Sequence, residues 1–91
     1  MVDLEAFDCN GYGVRCNDWV GVPNECHRWL GKFAKIKNIS FRNAGPTLFL
    51  RSCRNPISGA MTGMWVSATL VRYILKDELT FLALQGEIDA L

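Results

Sequence analysis

The chain has 91 residues, of which 49% are hydrophobic and 21% are charged, with a formal net charge of +1. This length favours one domain, residues 1–91, with a modest core, and the composition excludes wholesale disorder. The first residues, MVDLEAFD, have no basic start followed by an apolar run, and no apolar stretch reaches the roughly 20 residues of a membrane helix. We therefore expect a cytoplasmic protein without a membrane span.

The N-terminal part, residues 1–22, is acidic and contains several turn-forming residues. Asn10-Gly11 and Gly13 lie in the segment NGYG, and such dipeptides form tight turns between strands. The pattern favours a small hairpin between Phe7 and Val20, preceded by a short helical or extended start.

The clearest predicted element is an amphipathic helix from Cys26 to Ile36. Pro23 suits a first helical turn, where its missing N–H has no partner to lose, and Asn38 is a plausible C-terminal cap. The apolar residues recur at the i, i+3, i+4, i+7, i+8 spacing of one helix face. They are Cys26, Trp29, Leu30, Phe33 and Ala34.

Strand patterns separated by turn residues follow the predicted helix. The predicted strands are ISFRN, TLFLRSC, the long run WVSATLVRYIL and LTFLALQGEID, with a loop RNPISGAMTG before the third. Alternation of apolar and polar residues in the last two indicates an antiparallel hairpin with one buried face; the alternative is a C-terminal helix from Asp77 to Gln85. The fold class is therefore α+β, a small antiparallel sheet of about four strands with an amphipathic helix packed on one face.

Metal binding and catalysis have little support in the sequence. A structural zinc site usually takes two closely spaced ligand pairs, and the cysteines, at positions 9, 16, 26 and 53, contain no such pair. Neighbouring helical residues diverge by about 100°, so Cys26 and His27 cannot readily bind one ion together. Phosphate-binding, zinc-protease and serine-hydrolase motifs are absent from the chain. We predict no enzyme, metal, cofactor or small-molecule substrate.

Basic residues are concentrated in the middle of the chain. From Cys26 to Lys76 there are nine Lys or Arg and no Asp or Glu. Residues 1–25 hold five acids and one Arg, and residues 77–91 hold four acids and no base, so the three parts carry −4, +9 and −4, which sum to +1. Such segregation indicates an anionic partner.

The expected binding surface combines one face of the predicted helix with basic strand residues. Arg28, Lys32 and Lys35 fall opposite the apolar face, at a spacing that can meet successive phosphates. The alternative is an ordinary solvated face, or one neutralised in space by the acidic ends. The predicted partner-binding residues are Arg28, Lys32, Lys35, Lys37, Arg42, Arg51, Arg54 and Arg72.

Aromatic residues are the second candidate contribution to binding. Trp29 and Phe33 belong to the apolar face of the predicted helix and are expected in the core. Trp65 and Tyr73 alternate with apolar residues along the predicted third strand. They either stack on nucleobases or cover the second face of the sheet.

As a whole chain, from MVDLEAFDCNGYGVRCNDWV through to the terminal ALQGEIDAL, the sequence resembles phage-encoded anti-CRISPR proteins of the class that inhibits type I-F surveillance complexes. Proteins of this class share no common motif, so the resemblance transfers no binding residue by position. It implies a stoichiometric inhibitor that binds the protein subunits and crRNA of a bacterial CRISPR surveillance complex and prevents target DNA from binding or hybridising.

Under that resemblance, the basic middle contacts crRNA or occupies the place of DNA phosphate, and the acidic ends pair with Lys and Arg of the partner subunits. The main alternative is a free nucleic-acid-binding module, such as a small transcriptional regulator, which binds naked duplex or RNA with strongly salt-dependent affinity. A third alternative, a redox or metal protein built on the cysteines, requires bound zinc or iron.

Overall fold

The computed structural model of the protein describes residues 4–42, 45–51 and 63–88. The chain is an α+β protein with a five-stranded antiparallel sheet, a separate two-stranded sheet and two short helices. The strands are β1 (Glu5–Phe7), β2 (Gly13–Arg15), β3 (Trp19–Gly21), β4 (Phe33–Arg42), β5 (Gly45–Arg51), β6 (Gly63–Ser67) and β7 (Arg72–Tyr73). The α-helices are α1 (His27–Leu30) and α2 (Lys76–Leu84), and single 3₁₀ turns lie at Asn24–Cys26 and Ala68–Leu70.

The large sheet has the strand order β6-β5-β4-β3-β7, and β1 pairs only with β2. The 3₁₀ turn at Ala68–Leu70 lies on the path from edge strand β6 to β7, which pairs with β3 at the opposite edge. The predicted α+β class with an antiparallel sheet is confirmed. The sheet has five strands. Two of them, β3 and β7, are short strands that the sequence pattern did not predict as separate elements.

Two clusters of buried side chains lie on opposite faces of the large sheet. The main core packs residues of β3 to β6 with Leu30 of α1 and with Ala6 and Val14 of the two-stranded sheet. The second cluster contains Trp19 of β3 and Leu82 of α2, with Phe33 half-buried beside them. Trp19 points away from the main core because neighbouring residues of a strand face opposite sides. Helix α2 therefore packs on the second face.

The predicted helix from Cys26 to Ile36 is wrong beyond Leu30. Gly31, with φ 80° and ψ −170°, ends the four-residue helix α1, and strand β4 begins at Phe33. In β4 the fully buried Ala34 and Ile36 alternate with Lys35, which is the period of a strand. The three basic residues expected on one helix face therefore do not share one.

The predicted C-terminal hairpin is also wrong, and the alternative, a helix close to residues 77–85, is confirmed. The predicted strand WVSATLVRYIL is interrupted by the 3₁₀ turn at Ala68–Leu70, and α2 follows β7. Gly86, with φ 76°, closes α2: its N–H donates to the Ala83 carbonyl, and the Glu87 N–H donates to the Leu82 carbonyl. These two bonds form a Schellman motif.

The turn predicted at NGYG is confirmed, with Gly11 at φ 83°, but the hairpin is β1 and β2 and ends at Arg15, since Val20 belongs to β3 of the large sheet. The predicted strands ISFRN and TLFLRSC correspond to the end of β4 and to β5 as far as Arg51. The loop predicted at residues 54–63 lies outside the described residues except for Gly63, which begins β6. Within the described ranges, no helix has the length and apolar character needed to cross a membrane.

Candidate nucleic-acid interface

Among the described residues, the second face of the large sheet is divided between a half that α2 covers and a half that no described element covers, called here the open half. Helix α2 covers the half formed by β3, β7 and the start of β4, where Trp19 is 6% exposed. On β4, β5 and β6 the same face carries basic, polar and aromatic side chains. Arg51 is exposed and Trp65 is 38% exposed. Strand pairing therefore brings basic and aromatic side chains onto one accessible surface.

A pair of like charges lies at the centre of this open face. Lys35 of β4 is directly opposite Arg51 of β5, and on its other side Lys35 is opposite Trp19. Its ammonium lies 6.0 Å from the Trp19 ring centroid. Like charges directly opposite each other destabilise a sheet. Within the described ranges, neither cation has a carboxylate within 4.0 Å, so an anion bound here would relieve the repulsion.

A β-bulge adds a third basic side chain to the same face. The register of β4 against β5 shifts between Ile36 and Asn38, which leaves Lys37 without a partner across the ladder. Ile36 and Ile39 are both buried in the main core, whereas Lys37 and Asn38 between them are exposed. Both of these side chains therefore point away from the core, as an extra residue in a strand allows.

Two aromatic rings lie beside the basic residues. Phe49 of β5 is opposite Trp65 of β6, and their ring centroids are 5.3 Å apart with a 54° angle between planes. The Phe49 ring occupies the space above Gly63, where an added Cβ would lie 2.5 Å from its Cζ. The missing side chain at Gly63 thus lets Phe49 lie against the edge strand and support Trp65.

The basic and aromatic side chains form two neighbouring rows across the strands. Arg51 and Phe49 are two residues apart on β5, which corresponds to about 7 Å along a strand. Lys35 extends the basic row onto β4, and Trp65 extends the aromatic row onto β6. Cationic groups beside an exposed aromatic ring can bind phosphates and stack a nucleobase at the same time. We define these five residues, Lys35, Lys37, Phe49, Arg51 and Trp65, as the basic-aromatic face.

A shallow cavity adjoins the basic-aromatic face at Lys35. It has a volume of about 240 Å³, and its apolar lining includes Trp19, Ile74 and Leu79. Asp18 also lines it, and the carboxylate of that residue accepts a hydrogen bond of 2.9 Å from the Arg15 backbone N–H. The open face is therefore continuous with a partly apolar recess between the sheet and α2.

Two of the other predicted binding residues, Arg28 and Lys32, are not brought onto this face. Arg28 lies on α1, whose Leu30 packs into the main core on the opposite side of the sheet, and its guanidinium carbon is 4.9 Å from the Trp29 ring centroid. Lys32 is exposed in the turn before β4. Arg42 ends β4, and Arg54 lies outside the described residues.

Arg72 lies on the distant edge strand β7 and already has a carboxylate partner. Its guanidinium donates two hydrogen bonds to the Glu78 carboxylate of α2, at 3.0 and 3.1 Å. The hydrogen bonding to Arg72 lowers the pKa of Glu78, and the same bonding to Glu78 raises the pKa of Arg72. Arg72 therefore joins α2 to the sheet edge instead of contributing a free charge to the open face.

The Arg72–Glu78 ion pair predicts a small pH-dependent contribution to stability. Because the pKa of Glu78 is lowered in the folded protein, this contribution is present near neutral pH and is lost as pH falls through the folded-state pKa. The side chains are 45% and 38% exposed, so Glu78→Gln should lower the free energy of unfolding by only about 0.2–1 kcal/mol. Urea unfolding of both proteins from neutral pH to about pH 2 measures it. A difference that does not shrink in acid would contradict the assignment.

The Cys26-His27 pair has structural contacts. Cys26 is half-buried against the main core, and burial, with a smaller contribution from Glu25, raises the pKa of its thiol. The Nε2 atom of His27 is 2.6 Å from the Val22 carbonyl oxygen. No group of three or more His, Cys, Asp or Glu side chains in the described part of the chain could hold a metal ion. Cys26, expected on the apolar face of the predicted helix, thus contacts the core, and His27 contacts the backbone before α1.

The burial of the aromatic side chains differs in part from the burial that the sequence predicted. Trp29, expected in the core, is 42% exposed, and Phe33 is half-buried under α2. Trp65 lies on the open face, whereas Tyr73 packs against the main core. Phe49 was not predicted as a site residue, although it stands two positions from Arg51 in a strand pattern. That spacing was the available signal, since alternate strand residues share a face.

No protein-family model matches the chain, and neither the curated proteins nor the solved structures gave a significant match.

Proposed function

We propose that the protein is a non-enzymatic inhibitor that binds a crRNA-guided type I-F surveillance complex through its basic-aromatic face and blocks target DNA binding or hybridisation. The observation that carries the proposal is the Lys35–Arg51 pair, two like charges directly opposite each other on an accessible sheet face. The partner in this proposal comes from the whole-chain resemblance to anti-CRISPR proteins. The site of action is the cytoplasm of a bacterial host cell.

The distribution of charge supports a nucleoprotein partner. Lys35, Lys37 and Arg51 provide a cationic area for RNA or DNA phosphate. Among the acidic residues of the two ends, Asp18 lines the cavity beside Lys35, whereas Glu5 pairs with Arg15 in the two-stranded sheet and Asp77 stands in the first turn of α2. In a complex that exposes both nucleic acid and basic protein subunits, such separated charges can complement both components.

A pull-down with crRNA-loaded type I-F surveillance complex, followed by target-DNA hybridisation in its presence, tests the proposal. The wild-type protein should bind the complex and prevent hybridisation. The double variant Lys35→Ala/Arg51→Ala should bind at least about tenfold more weakly, because it removes the paired cations from the centre of the face.

The matched control is Arg28→Ala/Lys32→Ala, which removes the same two charges away from the basic-aromatic face. It should bind within about twofold of wild type if local contacts and not net charge determine affinity. Circular dichroism confirms that both double variants are folded. Absence of association, or hybridisation unimpaired by the wild-type protein, would overturn the proposal.

The second candidate function is a free nucleic-acid-binding module, and the exposed Trp65 beside three cations favours it. Such a module would bind naked oligonucleotides as tightly as the assembled complex, with affinity falling steeply as salt rises. The inhibitor would bind the complex far better than free nucleic acid. Measuring both affinities at one salt concentration separates the two functions.

A further inference from the structure

We infer that the basic-aromatic face binds single-stranded nucleic acid, with a base stacked on Trp65 and the adjoining phosphates held by Lys35, Lys37 and Arg51. The inference rests on the proposed function, because it names the component of the partner that this face contacts. It also extends that function, since it assigns base stacking to Trp65 and phosphate contacts to the three cations.

The position of Trp65 supports stacking. It lies on β6, an edge strand of the large sheet, and it is 38% exposed. Phe49 contacts it from the neighbouring strand, and the space above Gly63 fixes Phe49 in turn. Trp65 is therefore an edge-strand ring that Phe49 contacts on one side and that exposes part of its surface to solvent.

The relation between the rings and the cations selects a single strand over a duplex. The basic row and the aromatic row run side by side across the sheet, about 7 Å apart. A flexible single strand can place its phosphates along one row and turn an unpaired base onto the other. In a duplex the bases are already stacked and paired, so only the cations could contribute.

The three cations of the face lie at neighbouring positions on two strands, which favours a phosphate backbone over a single small anion. Lys35 and Arg51 are cross-strand neighbours, and the bulge at Lys37 adds a cation on the same strand as Lys35. Neighbouring strands are about 4.8 Å apart, so the cations are spread over a short track. Such a group of cations can contact more than one phosphate of a strand.

Fluorescence anisotropy with labelled oligonucleotides tests the inference. The probes are oligo-dT and oligo-U of about 12 nucleotides, a length within the site sizes of such surfaces, the corresponding dT·dA duplex, and an abasic deoxyribose-phosphate oligomer of equal length. The wild-type protein should bind the single strands at least about tenfold more tightly than the duplex or the abasic oligomer. The DNA and RNA probes report whether the sugar is also distinguished.

Substitution of Trp65 gives the decisive comparison. Trp65→Ala should weaken oligo-dT binding by about tenfold or more, since one base loses its stacking partner, and should leave binding of the abasic oligomer unchanged. Trp65→Phe should retain most of the affinity. The control is Trp29→Ala: Trp29 has a similar exposure, 42%, but lies on α1, and its removal should change neither affinity.

Lys35→Ala/Arg51→Ala should weaken the binding of both oligo-dT and the abasic oligomer. A plot of log affinity against log salt concentration should become less steep by about 1.4, since two phosphate contacts with a single strand are removed. Equal binding of duplex and single strand, equal effects of Trp65→Ala and Trp29→Ala, or unchanged binding by Trp65→Ala would each overturn the inference.

The two proposals fail in distinguishable ways. If the surveillance complex is bound and inhibited but Trp65→Ala behaves as wild type with every probe, base stacking is excluded and the inhibitor function stands. If oligo-dT is bound through Trp65 but the complex is neither retained nor inhibited, the inhibitor function is excluded and the single-strand site stands.

Discussion

Asp8→Ala should lower the free energy of unfolding by about 3 kcal/mol. Asp8 is only 5% exposed, and its carboxylate accepts three backbone hydrogen bonds. The N–H groups of Asn10 and Tyr12 donate to Oδ1 at 2.9 and 2.7 Å, and that of Tyr73 donates to Oδ2 at 2.6 Å. Hydrogen bonds to charged groups contribute more than neutral ones, and their loss leaves buried donors unpaired. The urea midpoint of unfolding measures the change.

The effect should be large because Asp8 joins two parts of the fold. Two of its bonds close the turn between β1 and β2, while the third reaches β7 at the edge of the large sheet. Asp8→Asn should recover only part of the stability, since its NH₂ group faces N–H donors on one side. If Asp8→Ala does not fold, the partial loss in Asp8→Asn still reports the same contacts.

Asp18→Ala is the matched control for Asp8. The Asp18 carboxylate accepts one backbone hydrogen bond, from the Arg15 N–H at 2.9 Å, in a half-buried position. Its removal should cost about 1 kcal/mol or less. Equal destabilisation by Asp8→Ala and Asp18→Ala would show that the three hydrogen bonds of Asp8 contribute no more stability than the single bond of Asp18.

The sequence predicted the fold class and several strands, because those depend on local patterns. Turn residues around NGYG indicated the first hairpin, and apolar alternation in Leu48 and Leu50 indicated β5. The apolar residues of α2 fit both the two-residue period of a strand and the 3.6-residue period of a helix. The burial of Leu82 and partly of Leu79 and Ala83 follows the helical spacing, whereas Leu84, expected on the buried face of a strand, is 83% exposed.

The signals that distinguish the two readings of α2 lie at its ends. Asp77 and Glu78 stand in its first turn, where acidic side chains complement the positive end of the helix dipole. Gly86 stands at the position that a Schellman motif requires. Apolar alternation in a short segment does not outweigh such terminal residues.

The candidate site was predictable in charge but not in arrangement. The acid-free middle of the chain contains Lys35, Lys37 and Arg51, which the structure places on one sheet face. Which of its basic residues meet depends on the register of β4 against β5, and the bulge at Lys37 alters that register. A one-residue change of register exchanges the two faces of a strand, so composition alone could not place these side chains together.

Gly31→Ala should destabilise the protein by about 1–3 kcal/mol, because its backbone, at φ 80° and ψ −170°, lies in a region that is almost confined to glycine. No heavy atom of the surroundings lies within 4 Å of a Cβ built at Gly31, so the expected loss comes from backbone strain and not from a clash. The same residue explains the incorrect helix prediction: the apolar spacing continued past Gly31, but the chain turns there into β4. Thermal or urea unfolding measures the loss.

Gly86 provides a control with a different backbone requirement. It also has a positive φ, 76°, and open space where a Cβ would be, but it occupies the Schellman position at the end of α2. Asparagine tolerates the left-handed conformation of such a position, so Gly86→Asn should cost less than about 1 kcal/mol. Gly31→Asn should be as destabilising as Gly31→Ala, since a short polar side chain does not make the extended positive-φ region accessible. Equal tolerance of asparagine at both positions would show that Gly31 adopts an ordinary left-handed turn, and that strain there does not end α1.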